Sequence, residues 1–163
     1  MKKYLLPLFL LTLISATLSL SGCTKQGLTT NTTTVRTSPQ SPDVEALYNQ
    51  GIDFYNNRYF IQAAQKFREA AKQGHAKAQF RLAALYRFGS GVQKDLDQAI
   101  HWYRKAAEQG NLDAQLSLGM MYYKGIEIPR NLEEAEKWLS LAADQGNQDA
   151  RDKLEKVQDE LVK

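Results

Sequence analysis

Residues 74–109 read GHAKAQFRLAALYRFGSGVQKDLDQAIHWYRKAAEQ, and residues 110–145 read GNLDAQLSLGMMYYKGIEIPRNLEEAEKWLSLAADQ. Laid over each other without a gap, the two 36-residue stretches share their landmarks. Gly74 recurs as Gly110 and again as Gly146, and Ala78-Gln79 recurs as Ala114-Gln115. Leu82, Tyr86 and Gly89 return as Leu118, Tyr122 and Gly125. Leu96, Ala99, Trp102, Ala106 and Ala107 return as Leu132, Ala135, Trp138, Ala142 and Ala143. A fixed period of this size marks an array of stacked units, each burying its apolar face only against its neighbours. Such an array presents a surface more readily than it encloses a reaction centre.

Within one unit the apolar spacing is helical and falls into two runs. Ala78, Leu82, Leu85 and Tyr86 lie on one helix face, at i, i+4, i+7 and i+8. Gly89 and Gly91 stop that helix. Asp95-Leu96-Asp97-Gln98 then has the form of a capping box, with Gln98 reaching back to the cap residue. Ala99, Trp102, Tyr103, Ala106 and Ala107 continue as a second helix, which Gly110 ends. The next unit repeats the plan with Gly125, an Asn131…Glu134 box, Trp138 and Gly146.

These residues closely resemble the Sel-one-like repeat (SLR), a 36-residue relative of the tetratricopeptide repeat. The resemblance spans residues 75–147, carried by Ala-Gln, Leu, Tyr, Gly, Asp-Leu, Ala, Trp and Ala-Ala at fixed spacing. A divergent unit precedes it. Gly51, Phe54, Ala63, Phe67, Ala70 and Gly74 fall at the shorter tetratricopeptide spacing, lacking a four-residue turn insertion. After it, Ala150, Leu154, Val157 and Leu161 form one face of an amphipathic terminal helix. The expected fold is therefore all-α, a right-handed α-solenoid of about three repeats plus a C-terminal capping helix. The expected divisions are a divergent repeat at 44–74, repeats at 75–110 and 111–146, and a cap at 147–163.

The chain begins differently. Met1-Lys2-Lys3 is a short basic region, Leu5 to Leu20 is an apolar run, and Leu20-Ser21-Gly22-Cys23 follows. The run is shorter than the roughly 20 apolar residues of a spanning helix and reads as an export signal over residues 1–22. Leu-Ser-Gly-Cys resembles the bacterial lipobox, which implies that Cys23 is lipidated and becomes the mature N-terminus. Cys23 is the only cysteine of the chain, so the mature domain would hold no free thiol and no disulfide. Thr24 carries no inner-membrane retention signal. The expected address is the outer membrane, with the domain in the periplasm. Residues 24–43 are rich in Thr, Ser and Pro and too poor in apolar groups to offset the entropy of ordering. They read as a disordered tether, with a root-mean-square reach of about 25 Å for a flexible coil of that length.

Composition narrows the chemistry. Without Lys2 and Lys3, 19 basic residues face 18 acidic ones. With no long basic run and no nucleic-acid motif, a nucleic-acid partner is not indicated. No Ser/His/Asp or Cys/His motif is present. Glu133, Glu134 and Glu136 sit at a helix start, where acids favour the dipole. His75 falls at the turn position of Asn111 and Asn147 and reads as a cap; His101 reads as a surface residue. The two show no metal-ligand spacing. Neither catalysis, a metal nor a cofactor is expected. Trp102 and Trp138, at the same repeat position, read as core.

In tetratricopeptide-like stacks the first helix of each hairpin lines a concave groove. The resemblance places Tyr48, Ile52 and Tyr55 of unit one there, with Phe80, Ala84, Arg87 and Phe88 of unit two. Unit three supplies Leu116, Met120, Tyr123 and Lys124. Aromatic residues, a Met and an Arg along one groove fit a protein-binding surface. The family implies an envelope adaptor or scaffold that takes a segment of a partner protein, with the lipid holding it to the membrane. Two rivals are a cell-wall or β-lactam-directed enzyme of the secreted, cysteine-rich kind, and an assembly lipoprotein of an outer-membrane or secretion complex. The missing mature cysteine argues against the first. Changing Cys23→Ser should move the protein from the membrane to the soluble fraction, and continued membrane retention would remove the lipobox reading.

Overall fold

A computed structural model describes residues 42–163. The export signal, Cys23 and the tether up to residue 41 lie outside the described residues. Seven helices follow: α1 (Pro42–Asn56), α2 (Phe60–Lys72), α3 (Ala76–Phe88), α4 (Leu96–Glu108), α5 (Leu112–Lys124), α6 (Leu132–Asp144) and α7 (Gln148–Leu161). Each packs on the helix before it and the helix after it, the contact pattern of an all-α solenoid. None of the described helices is long and apolar enough to cross a membrane.

The first described helix begins two residues earlier than the composition suggests. Pro42 and Asp43, counted with the tether, are the first residues of α1. Proline suits the first helical position, where its fixed φ is preset and its missing N–H would have no partner. Asp43 and Glu45 then place acids in the first turn.

The caps explain why the helices start where they do. Asn111 Oδ1 accepts from the Ala114 amide at 2.9 Å, and Asn147 Oδ1 from Ala150 at 2.8 Å. His75 fills the same place with its ring: Nδ1 accepts from the Ala78 amide at 3.0 Å. Asp95 and Asn131 accept from the amides of Gln98 and Glu134 at 2.9 and 2.8 Å. The reciprocal half of the two capping boxes does not form. The Asp95 amide donates to the Tyr86 carbonyl at 3.0 Å, and that of Asn131 to Tyr122 at 3.1 Å. These bonds pin each loop back onto the end of the preceding helix. They leave the Glu134 carboxylate free to accept from Trp138 Nε1 at 2.9 Å.

Three apolar clusters run along the stack. The first joins α1–α3 around Phe67 and Leu82, and the second joins α3–α6 around Tyr103, Leu118 and Trp138. The third joins α5–α7 around Leu139, Ala142 and Val157. Paired alanines let the helices approach closely: Ala70, Ala106 and Ala142 are all fully buried. Glycines do the same at Gly51, where an added Cβ would lie 2.5 Å from Phe67 Cε1, and at Gly119, where it would lie 2.7 Å from Leu139 Cγ. The last helix, α7, buries Ala150 and Val157 and half-buries Leu154 and Leu161.

The two tryptophans are not equivalent. Trp138 is 1% exposed, whereas Trp102 is only half-buried against the first two clusters. The loop residue Ile128 is buried in the cluster of Trp138; its counterpart Val92 is smaller and stays half-exposed. Truncating Trp138 to Ala should therefore destabilise the protein by about 3–5 kcal/mol, and Trp102→Ala by clearly less. Urea unfolding of both variants checks the order, and equal losses would show that repeat position, rather than local cover, sets the cost.

Candidate partner-binding groove

The first helices α1, α3 and α5 are set in register by their second-helix partners. Tyr48, Phe80 and Leu116 occupy one repeat position, and Ile52, Ala84 and Met120 the next. Tyr55, Arg87 and Tyr123 form a third, followed by Asn56, Phe88 and Lys124. The neighbourhood of each side chain then decides its use.

In unit one the positions serve packing first. Tyr48 is half-buried, stacks on the His75 ring at 4.6 Å between centroids and lies 5.9 Å from Phe67. His75 Nε2 lies 2.9 Å from Glu45 Oε2. Because Nδ1 already accepts from Ala78, the proton sits on Nε2, which donates to the carboxylate. Ile52 packs on the first cluster. Tyr55 is more open, edge-on to Phe60 at 5.4 Å, with the Arg81 guanidinium 5.8 Å above its face. In unit two, Phe80 is half-buried against Tyr103, with centroids 5.7 Å apart.

Further along, an open cavity of about 470 Å³ lies beside α5. Leu116, Met120, Met121 and Ile126 give it an apolar lining; Ser117 and Lys124 add polar groups, and Arg87 with Glu127 completes it. Nε and Nη2 of Arg87 both lie 2.6 Å from a single oxygen, Oε2 of Glu127. Phe88 stands next to this pair, 66% exposed, with the Arg87 guanidinium 5.1 Å from its ring centroid. Tyr103 lies near Arg87. Burial pushes the Tyr103 hydroxyl pKa up, against the downward pull of the Arg87 charge.

Tyr123 belongs elsewhere. Its hydroxyl donates to Glu160 Oε1 of α7 at 2.9 Å, and the Arg130 guanidinium lies 5.6 Å from its ring. Arg130 also pairs with Glu160. The cavity thus gathers Arg87 and Met120 of the predicted residues with Leu116 and Lys124 of the predicted face, while Tyr123 ties α5 to the terminal helix.

Glu127, Ile126, Met121 and Arg81 were not among the predicted residues. Ile126 and Glu127 sit in the 125–131 loop, whose counterpart in unit one is only residues 57–59. The insertion was legible as a length difference, and its Ile-Glu-Ile sequence was a signal of side chains turned to different sides. Ile128 is buried and Ile126 is 81% exposed.

The Sel1 repeat model matches residues 76–111 and 112–147. Each window begins one residue after the divisions read from sequence, which assigns the caps His75 and Asn111 to the preceding unit. Among solved structures, a Sel1 repeat protein from Oxalobacter formigenes superposes with a TM-score of 0.61 at 33% identity, over 70% of this chain and 50% of that one. The c5321 protein, a protective antigen present in uropathogenic Escherichia coli strains and displaying an SLR fold, superposes with a TM-score of 0.66 at 32% identity. That match covers 73% of this chain and 26% of the other. The chain therefore spans half the length of one relative and about a quarter of the other. No curated protein matches the sequence.

The Tyr123–Glu160–Arg130 group carries a pH consequence. Hydrogen bonds from Arg130 and Tyr123 hold the Glu160 carboxyl below its ordinary value of 4.5. A depressed carboxylate contributes stability above that ordinary value and loses the contribution as pH falls through the folded-state value. Glu160→Gln should lower the melting temperature at neutral pH, and its difference from the parent protein should shrink as pH falls below 4.5. A difference that persists unchanged in acid would show that the contact is steric.

Proposed function

From the premise that this chain belongs to the Sel1 repeat family through residues 76–147, we propose that it is a lipid-anchored adaptor of the bacterial envelope that holds a segment of a partner protein in the groove of its solenoid. The lipid on Cys23 would keep it at the outer membrane, and residues 24–41 would let the groove reach into the periplasm. The Sel1 repeat fold is a scaffold for protein–protein interaction, which favours binding over catalysis.

One observation carries the reading. The cavity beside α5 combines a Leu, two Met and an Ile lining with cationic groups and an exposed aromatic at its mouth. Methionine suits a surface that must adapt to a partner's side chains, because it is unbranched and polarizable. Arg and Phe are among the residue types enriched in interfaces. An extended strand or a short helix laid against α3 and α5 would bury this lining.

A photocrosslinking amino acid placed at Phe88 or Lys124, both exposed, should give a discrete protein adduct in intact cells. The same group at Glu108, exposed on α4, should not. Adducts from Glu108 alone would move the binding surface to the second-helix side and overturn the groove reading.

A further inference from the structure

We infer that the groove selects an acidic partner segment, and that Glu127 is an internal stand-in for the carboxylate such a segment would place on Arg87. This rests on the groove reading above and specifies the chemistry of its occupant.

The charge distribution supplies the first argument. Helix α3 carries Lys77, Arg81 and Arg87 and no acidic residue. Lys124, at the end of α5, is a fourth cation and lines the cavity together with Arg87. Of these, only Arg87 pairs with a carboxylate among the described residues. Arg81 instead lies against the rings of Tyr55 and Phe80, 5.8 and 6.0 Å from their centroids. Stacked there, its guanidinium is oriented by the aromatics and its donors remain available.

The Arg87–Glu127 geometry supplies the second. A carboxylate already occupies the site on Arg87, so the position accepts one. Both guanidinium nitrogens converge on the single oxygen Oε2, at 2.6 Å each. An arginine and a carboxylate make their strongest pair as two parallel N–H···O bonds, one to each oxygen. The internal pair falls short of that arrangement. Its members are 27% and 23% exposed at their side chains, so an incoming carboxylate can reach Arg87 from the groove. Glu127 sits in the 125–131 loop beside the strongly exposed Ile126, and the exchange turns its carboxylate out to solvent. The exchange trades a one-oxygen pair for a two-oxygen pair, while apolar side chains of the same segment settle on Leu116 and Met120.

The test uses the full chain in detergent micelles and two fluorescein-labelled synthetic peptides of about twelve residues. One alternates Asp and Glu with Leu and Phe; the other replaces each acid by its amide. Fluorescence anisotropy should show the acidic peptide binding about tenfold tighter, as expected for one good charge-assisted pair. Added salt should erode that preference. Arg87→Gln should abolish most of it. Glu127→Gln, which removes the internal competitor and keeps the loop's length and polarity, should tighten the acidic peptide several-fold and leave the amide peptide unchanged. Weaker or unchanged acidic binding in Glu127→Gln would overturn the stand-in role. Equal binding of the two peptides would overturn the acidic selection while leaving the groove reading intact, and no binding of the acidic peptide would overturn the inference as well. Saturable binding of phosphatidylglycerol vesicles that competes with the peptide and is lost with Arg87 would overturn it in favour of a membrane surface.

Discussion

The stack hangs on two buried side-chain amides. Gln79 and Gln115 are each 3% exposed, and each uses both ends of its amide. Gln79 Nε2 donates to the Ala71 carbonyl at 3.1 Å, and its oxygen accepts from Gln109 Nε2 at 2.6 Å. One repeat later Gln115 donates to Ala107 at 3.1 Å and accepts from Gln145 at 2.7 Å. Each amide so joins the C-terminal turn of one second helix, the next first helix, and the end of the following second helix. A buried amide without partners would cost on the order of 1–3 kcal/mol, so a register that breaks these bonds is strongly disfavoured. The alanine faces allow close approach in several registers; the glutamines select one.

The ends of the array are where this device stops. Leu47 holds the equivalent position in α1, and Arg151 holds it in α7. In unit one the Tyr48–His75–Glu45 arrangement takes over, joining α1 to the start of α3 through a ring stack and a hydrogen bond. At the other end α7 is tied by Tyr123, Arg130 and Glu160 on one side and by Gln158 donating to Glu136 on the other. Unit one and the cap are thus attached by side chains unique to them, whereas the middle is held by a repeated one. The cavity lined by Arg87 and α5 lies over that middle.

Periodicity made the scaffold legible. Spacings of three and four identified the helix faces, and the offset of 36 identified the equivalent positions. What it could not convey is which neighbour covers an equivalent position. Trp102 and Trp138 share a place in the repeat and differ in burial, as do the loop residues Val92 and Ile128 of the same clusters. Tyr55 and Tyr123 share a place too, yet one meets Arg81 and Phe60 while the other meets the terminal helix. The glutamines were visible as a recurrent pair but not as buried clamps, since a polar residue at a repeat position reads equally well as surface. The capping boxes failed for a similar reason. Their back-bonds compete with the Tyr86 and Tyr122 carbonyls, whose position depends on the fold of a loop that no local pattern specifies.

The Arg87–Glu127 pair follows from the same asymmetry between a repeated frame and an unrepeated loop. A half-buried guanidinium beside an apolar cavity would be costly if left unpaired while the groove is empty. Glu127, supplied by the insertion that unit one lacks, removes that cost. Replacing one carboxylate by another on Arg87 would then gain only the difference between a one-oxygen and a two-oxygen pair, enough to favour an acidic segment without supplying most of its affinity. The rest of the affinity would come from the apolar lining that the segment covers, with Arg81 and Lys124 adding cations that have no carboxylate to give up among the described residues. A groove of the proposed kind would discriminate by sign of charge while holding its partner reversibly, because the competitor for its central cation never leaves the molecule.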